Sequence, residues 1–163
     1  EARPRLSQAT HGRGGLAAPV TVMLPGWADE LLRTARVAHL GTADAAGRPL
    51  VVPVCYAFDG QRCYSAIDRK PKRTAGARLR RLRNIADNPR VSLVVDHYEE
   101  DWTRLRYVIV EGRADILTEG PDYAHGIDLL VAKYPQYRAL ALDREAGLLV
   151  RVVADRVIPW RYA

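Results

Sequence analysis

The apolar residues of this chain change rhythm several times, and each change marks an element. After Pro25-Gly26-Trp27, the residues Leu31, Leu32 and Ala35 fall three or four positions apart. That is the spacing of one helix face, so ADELLRTAR is predicted as a short helix. From Arg36 the pattern turns to β. RVAHLGT (36–42) reads as a strand and Ala46-Gly47-Arg48-Pro49 as a turn. LVVPVCYAF (50–58) reads as one strongly apolar strand, and Asp59-Gly60 turns it into RCYSAI (62–67), completing a three-strand meander. Pro53 has no N–H to donate, so it marks an edge, a bulge or an unpaired side of its strand.

Leu79, Leu82 and Ile85 then recur every three residues, giving a helix with one narrow apolar face that Asp87-Asn88-Pro89 stops. VSLVVD (91–96) is a strand, and the acidic, aromatic HYEEDW links it to a long strand, RYVIVEGRADIL (106–117), with a bulge or bend expected at Gly112. Residues 121–134 are helical, with Tyr123, Ile127, Leu130, Val131 and Tyr134 on one face, and LLVRVVADRVIPW (148–160) is the last strand. Six strands with three helices and no βαβ alternation predict a mainly β, α+β fold: an antiparallel barrel with peripheral helices. Residues 1–22 lack periodicity and read as a flexible arm, leaving 23–163 as the folded domain.

Charge sharpens this picture. The 17 residues from Asp68 to Asn84, DRKPKRTAGARLRRLRN, hold eight cations and one anion, a net +7. The whole chain carries +6, so the other 146 residues sum to −1 and the basicity is local. Lys70-Pro71-Lys72 follows a strand end and leads into a helix start near Arg73 to Gly76, an arrangement that suits an anion. Three readings compete: nucleic acid, a cofactor phosphate, or a solvated helix face. Single-stranded nucleic acid also favours aromatics among the cations, and this segment has none.

Other chemistry is sparse. G-x-G-x-x-G, P-loop, G-x-S-x-G and H-E-x-x-H patterns do not occur, and His11, His39, His97 and His125 have no second ligand at metal spacing. His39 lies mid-strand and reads as a packed barrel residue. With no nucleophile or acid–base pair announced, an enzyme built on this chain would take its chemistry from a cofactor. A two-residue turn at Asp59-Gly60 would pair Cys55 with Tyr64 and Tyr56 with Cys63, sending the two sulfurs to opposite faces. Neither a disulfide nor a metal site is expected, which suits a reducing cytoplasm. No apolar run is long enough to span a membrane.

RVAHLGTADAAGRPLVVPVCYAFDGQRCYSAID, RLRRLRNIADNPRVSLVVD and DWTRLRYVIVEGRADIL, in that order, resemble the pyridoxamine-5′-phosphate-oxidase-like flavin-binding split barrels. KPKRT, RLRRLRNI and YEEDWTRLRYVIVEGRA look most like the branch that uses the deazaflavin coenzyme F420. An eight-cation strip is generous for one FMN phosphate and suits a longer polyanion. The resemblance implies a six-stranded split β-barrel, a homodimer with cofactor sites at its interface, and a small-molecule substrate, with neither nucleic acid nor membrane as partner. It implies a ring lying along Pro53, Val54, Cys55 and Tyr56 and along Ser65, Ala66 and Ile67. Lys70, Lys72, Arg73, Arg81 and Asn84 would lie near the phosphate or tail, with Trp102 and Arg106 covering the site from the partner chain. The implied reaction is hydride transfer from the reduced deazaflavin to an electron-poor double bond, with the proton coming from solvent or from Tyr56. The alternatives are an FMN-dependent oxidase or reductase on the same barrel, or a non-catalytic flavin or haem carrier. The chain ends PWRYA without an RLHDR-like signature, which argues against vitamin B6 oxidation.

Overall fold

The computed structural model describes residues 23–67, 79–139 and 147–162. Seven antiparallel strands form one sheet: β1 Ala38–Ala43, β2 Pro49–Val54, β3 Ala57–Phe58, β4 Arg62–Ile67, β5 Arg90–His97, β6 Arg106–Leu117 and β7 Leu148–Arg161. Their spatial order is β2-β1-β5-β6-β7-β4-β3. The outermost strands, β2 and β3, are neighbours in the chain with only Cys55 and Tyr56 between them. Such a link reaches about 10 Å at full extension. The sheet must therefore curl until its two edges meet, which makes it a split barrel.

This topology corrects the expected strand count from six to seven. The run 50–58 is not one strand: β2 pairs with β1, whereas β3 pairs with β4 at the opposite edge. Pro53 lies on an edge strand, where a missing N–H costs no ladder bond. The hairpin register also differs from the expected one. Ala57 faces Tyr64 and Phe58 faces Cys63, two positions from the predicted pairing. The turn sits one residue later, at Gly60-Gln61: the Asp59 N–H donates to the Arg62 carbonyl at 3.2 Å and the Asp59 carboxylate accepts the N–H groups of Gln61 (2.8 Å) and Arg62 (2.7 Å), with Gly60 at φ 103°. A slip of two keeps every side chain on its face. Cys63 is accordingly buried, Cys55 exposed, and both are free thiols. The bulge lies where expected along β6, at Glu111/Gly112, but the extra residue is Asp155 on β7.

Two apolar layers follow. The barrel interior is filled by Leu40, Leu93, Val95, Val108 and Val152. Helix α1 (Gly26–Thr34) adds Leu31 and Leu32 to it, and α2 (Arg80–Asp87) adds Leu82 and Ile85. Outside the barrel, α3 (Pro121–Lys133) lays Tyr123, Ile127 and Leu130 over Tyr64 and Leu149, and the short α4 (Gln136–Ala139) brings in Tyr137. Arg151 pins the start of α3: its guanidinium spans the Asp115 carboxylate (3.0 and 2.6 Å) and also donates to Asp122, which takes Arg62 at 3.1 Å as well. Among the described residues no helix is long and apolar enough to cross a membrane.

Gly126 sets how closely α3 approaches the sheet. A Cβ there would lie 2.6 Å from both the Tyr64 ring and a Leu149 methyl. Alanine's better helix propensity is worth about 1 kcal/mol, and overpacking costs about 1–3 kcal/mol. Gly126→Ala should therefore lower unfolding stability by up to about 2 kcal/mol in a denaturant titration; a midpoint raised by the better propensity of alanine would show that α3 simply rides outward.

Candidate functional site

Two surfaces have no obvious structural duty. The first is a groove of about 600 Å³ between the β1–β2 turn and α2. Asp44 builds the turn side. Its carboxylate accepts the N–H groups of Ala46 and Arg48 at 3.0 Å each, and the Arg48 guanidinium at 2.8 Å. The backbone N–H of Arg48, more than its guanidinium, holds the Asp44 carboxyl below the usual range. Arg48 is thus spoken for by Asp44.

The helix side is set by burial. Leu82 and Ile85 face the barrel, which turns Arg80 and Arg83, nearly one turn apart, toward solvent along the groove. Asn84 lines the groove's base. Its side chain is buried and donates to the Thr42 hydroxyl at 3.0 Å, tying α2 to β1. The first turn of α2 has neither an acidic residue nor a side-chain cap, so its positive dipole end adds to the two arginines. Asp87 is the groove's remaining anion once Asp44 is paired with Arg48. The net field favours an anionic ligand.

The second surface is the outer face of β2-β1-β5-β6-β7. Pro53, His39, Val94, Ile109 and Ile158 stand in one cross-strand row. Pro53 and His39 are exposed and the other three half-buried. Val51 is 64% exposed beside the row, and Tyr107 stacks on Trp160 at its far side, 5.1 Å between ring centres.

The residues expected at the site divide accordingly. Pro53 and Cys55 lie on the exposed outer face, while Val54 and Tyr56 point inward. Ser65 and Ile67 are buried, and Ala66 packs under α3, so both faces of that strand are already covered. Arg81 is half-buried on α2. Asn84 is in the groove, although its amide is committed to Thr42. Trp102 is exposed on a 3-10 turn (Trp102–Arg104), and Arg106 is half-buried in the register row His97–Arg106–Arg161. Lys70, Lys72 and Arg73 lie outside the described residues. Sequence reasoning singled out the basic strip as a whole but missed Arg80 and Arg83 individually, and missed Arg48 and Asp44. The three-residue apolar period of α2 was the signal that could have placed Arg80 and Arg83 outward.

Tyr56 needs a correction. It was expected either to donate a proton to the product or to pack in the barrel with its hydroxyl exposed. It is fully buried, and its hydroxyl donates to the Leu32 carbonyl of α1 at 2.6 Å. Burial raises its pKa well above the tyrosine range. It caps the end of α1, where helix carbonyls lack partners. Its neighbour in this arrangement is Tyr134, whose hydroxyl accepts the Tyr56 N–H at 3.2 Å. The one Tyr134 proton serves Arg36 O (2.6 Å) or Tyr56 O (2.9 Å). Tyr134→Phe should therefore cost about 1–3 kcal/mol of unfolding stability, since it strands a buried N–H, and Tyr56→Phe somewhat less, both read by denaturant melts.

A curled antiparallel sheet whose outer face is exposed among the described residues, with a cationic groove at one rim, defines a split barrel. Comparison with known proteins narrows the class. The family described as pyridoxamine 5′-phosphate oxidase matches residues 24–160, and the chain belongs to it. No curated protein matches the chain by sequence. Among solved structures, a conserved hypothetical protein, Rv2991 from Mycobacterium tuberculosis, is 21% identical over 87% of both chains, with a TM-score of 0.68. HutZ, the haem storage protein of Vibrio cholerae, is 17% identical over 80% of this chain and 89% of its own, with a TM-score of 0.63. An F420 reductase is 22% identical over 83% of this chain and 98% of its own, with a TM-score of 0.59. At these identities the likeness is one of fold.

Proposed function

We propose that this protein is a homodimeric oxidoreductase that uses a phosphate-bearing flavin-type cofactor, and that the cofactor is coenzyme F420. The observation that carries the reading is the pairing of a cationic groove with an uncovered apolar sheet face. Arg80 and Arg83 would hold the phosphate or tail, assisted by the open N-terminal dipole of α2. Lys70, Lys72 and Arg73 belong in sequence to the same strip and would extend it. Pro53 and Cys55 offer an apolar floor for a ring. β2 begins at Pro49, which borders the groove through the Arg80 contact at 3.4 Å, and Pro53 is four residues along it, about 13 Å away. A second copy packing on the row Pro53–His39–Val94–Ile109–Ile158 would exclude water from that floor. The chemistry a reduced deazaflavin supplies when bound is hydride transfer to an electron-poor double bond. The family resemblance and the F420 reductase fold support this reading.

A second reading rests on His39. It stands exposed in the middle of the apolar row, with Nδ1 3.9 Å from Asp96. An exposed imidazole on an apolar face is what a haem carrier would present to iron. A Soret band in the purified protein that disappears in His39→Ala would favour that reading.

The test of the first is a fluorescence titration of F420 with FMN in parallel at the same salt. F420 should bind more tightly. Arg80→Ala and Arg83→Ala should each weaken it about tenfold, the value of one charge-assisted contact, and the loss should shrink in high salt. Equal losses for FMN and F420, or none, would count against a tail clamp.

A further inference from the structure

The ladder between β6 and β7 has three rungs that carry charge on both strands. Two are complementary: Asp115 faces Arg151, and Glu111 faces Arg156. Arg151 closes on Asp115 at 2.6 Å, and Arg156 lies 4.0 Å from Glu111. The third rung breaks this rule. At the end of the barrel Arg106 faces Arg161, and His97 continues the same row on β5. Directly opposite side chains start about 5 Å apart, and like charges there repel. Val108 and Val110 are buried in the barrel, and side chains alternate along a strand. Arg106, two residues before Val108, therefore points to the interior side, at the barrel mouth. Arg161 shares that side, with its guanidinium 5.8 Å from the centre of the Trp27 ring on α1.

Nothing nearby neutralises this pair. Nε of Arg106 is buried with no hydrogen-bond partner, and among the described residues neither guanidinium forms an ion pair. The acids of the β5–β6 link are already engaged. Glu99 holds His97 Nε2 at 2.6 Å and Arg104 Nε at 3.1 Å. Glu100 accepts the Tyr98 hydroxyl at 3.4 Å, and Asp101 accepts the Thr103 N–H and hydroxyl. Asp29, the acid in the first turn of α1, is paired with Arg33 at 2.7 Å. That turn has no side-chain cap, and its Trp27 lies under Arg161, so the positive end of α1 adds to the field. A buried donor without a partner is costly, and two facing guanidinia repel. One bound anion relieves both costs.

We propose that Arg106 and Arg161 form a second anion site, at the barrel mouth beside α1, that binds the phosphate or carboxylate group of a small molecule. Two planar forks on neighbouring strands can grip one such group from two sides. The site lies at the other rim from the groove of Arg80 and Arg83. Thr42, which Asn84 holds at the base of that groove, faces Val91, and His97 lies six residues further along β5, about 20 Å away. One phosphate group cannot serve both rims, so the two sites fill independently. The inference uses no groove residue and is independent of which cofactor the protein takes.

The experiment uses the full chain carrying Arg80→Ala and Arg83→Ala, which removes the cations of the groove. Its melting temperature is followed against inorganic phosphate and, separately, against succinate, with sodium chloride at equal ionic strength as the control. At least one of the two should raise the melting temperature beyond the chloride control, and the stronger of them tells phosphate from carboxylate. Adding Arg106→Gln or Arg161→Gln should weaken the apparent affinity about tenfold, the value of one charge-assisted contact. Arg106→Lys keeps the charge without the fork and should fall between. Without ligand, Arg106→Gln and Arg161→Gln should melt no lower than their parent, because each relieves the repulsion between facing cations. A lower melting temperature would give the pair a structural duty and overturn the site. So would the absence of a shift with either ion, or a shift that Arg106→Gln and Arg161→Gln leave unchanged.

Discussion

The link Cys55–Tyr56 is the constraint on which the architecture depends. It joins the two strands that lie at opposite ends of a seven-stranded order, so every other strand must be arranged on a curve that lets those ends meet. Polar groups secure the closure from both sides. Inside, the Tyr56 hydroxyl caps a carbonyl of α1; outside, the Tyr134 hydroxyl clasps the Tyr56 backbone and Arg36. One dipeptide thus sets the positions of α1 and α3 together. The energy involved is that of a few buried hydrogen bonds, each costly to leave unmade.

Closure also decides what is left bare. α3 is needed over β3, β4 and β7, where the joint is, and α1 and α2 bury their apolar residues with the barrel interior. The outer face from β2 to β6 keeps its apolar row, and α2 keeps its arginines pointing away from the core. The functional proposal follows from this division of labour: helices are spent on sealing the barrel, and the remaining surface, half apolar and half cationic at its rim, is the one suited to a planar, anionic cofactor and a second subunit.

Much of the fold was legible in the chain. The α2 and α3 faces came directly from apolar spacing: Leu82, Ile85, Tyr123, Ile127, Leu130 and Tyr134 are all buried. Pro53, read as an edge, a bulge or an unpaired side, lies on an edge strand, and the bulge or bend read at Gly112 is a bulge whose extra residue is on β7. The two errors have different causes. Apolar continuity through 50–58 looks like a single strand because both β2 and β3 are apolar, and no local signal says that they pair at opposite ends of a sheet. The hairpin register slipped because the side-chain hydrogen bonds of Asp59 place it before the turn, which then falls on Gly60-Gln61 instead of Asp59-Gly60.

The site was less legible than the fold for a related reason. The strip of arginines is visible in sequence, but which of them faces a groove depends on how α2 is rotated by Leu82 and Ile85 and where the Asp44 turn lies in space. Tyr56 looks like an available hydroxyl in sequence and is a buried cap in the fold, because α1, distant in the chain, supplies the carbonyl it needs. By itself the sequence determined the elements, their apolar faces and the local excess of positive charge, since these depend on neighbours three or four residues away. Only the tertiary structure decided where the barrel closes, which side chains the closure consumes and which surfaces it leaves open, since these depend on contacts between residues far apart in the chain.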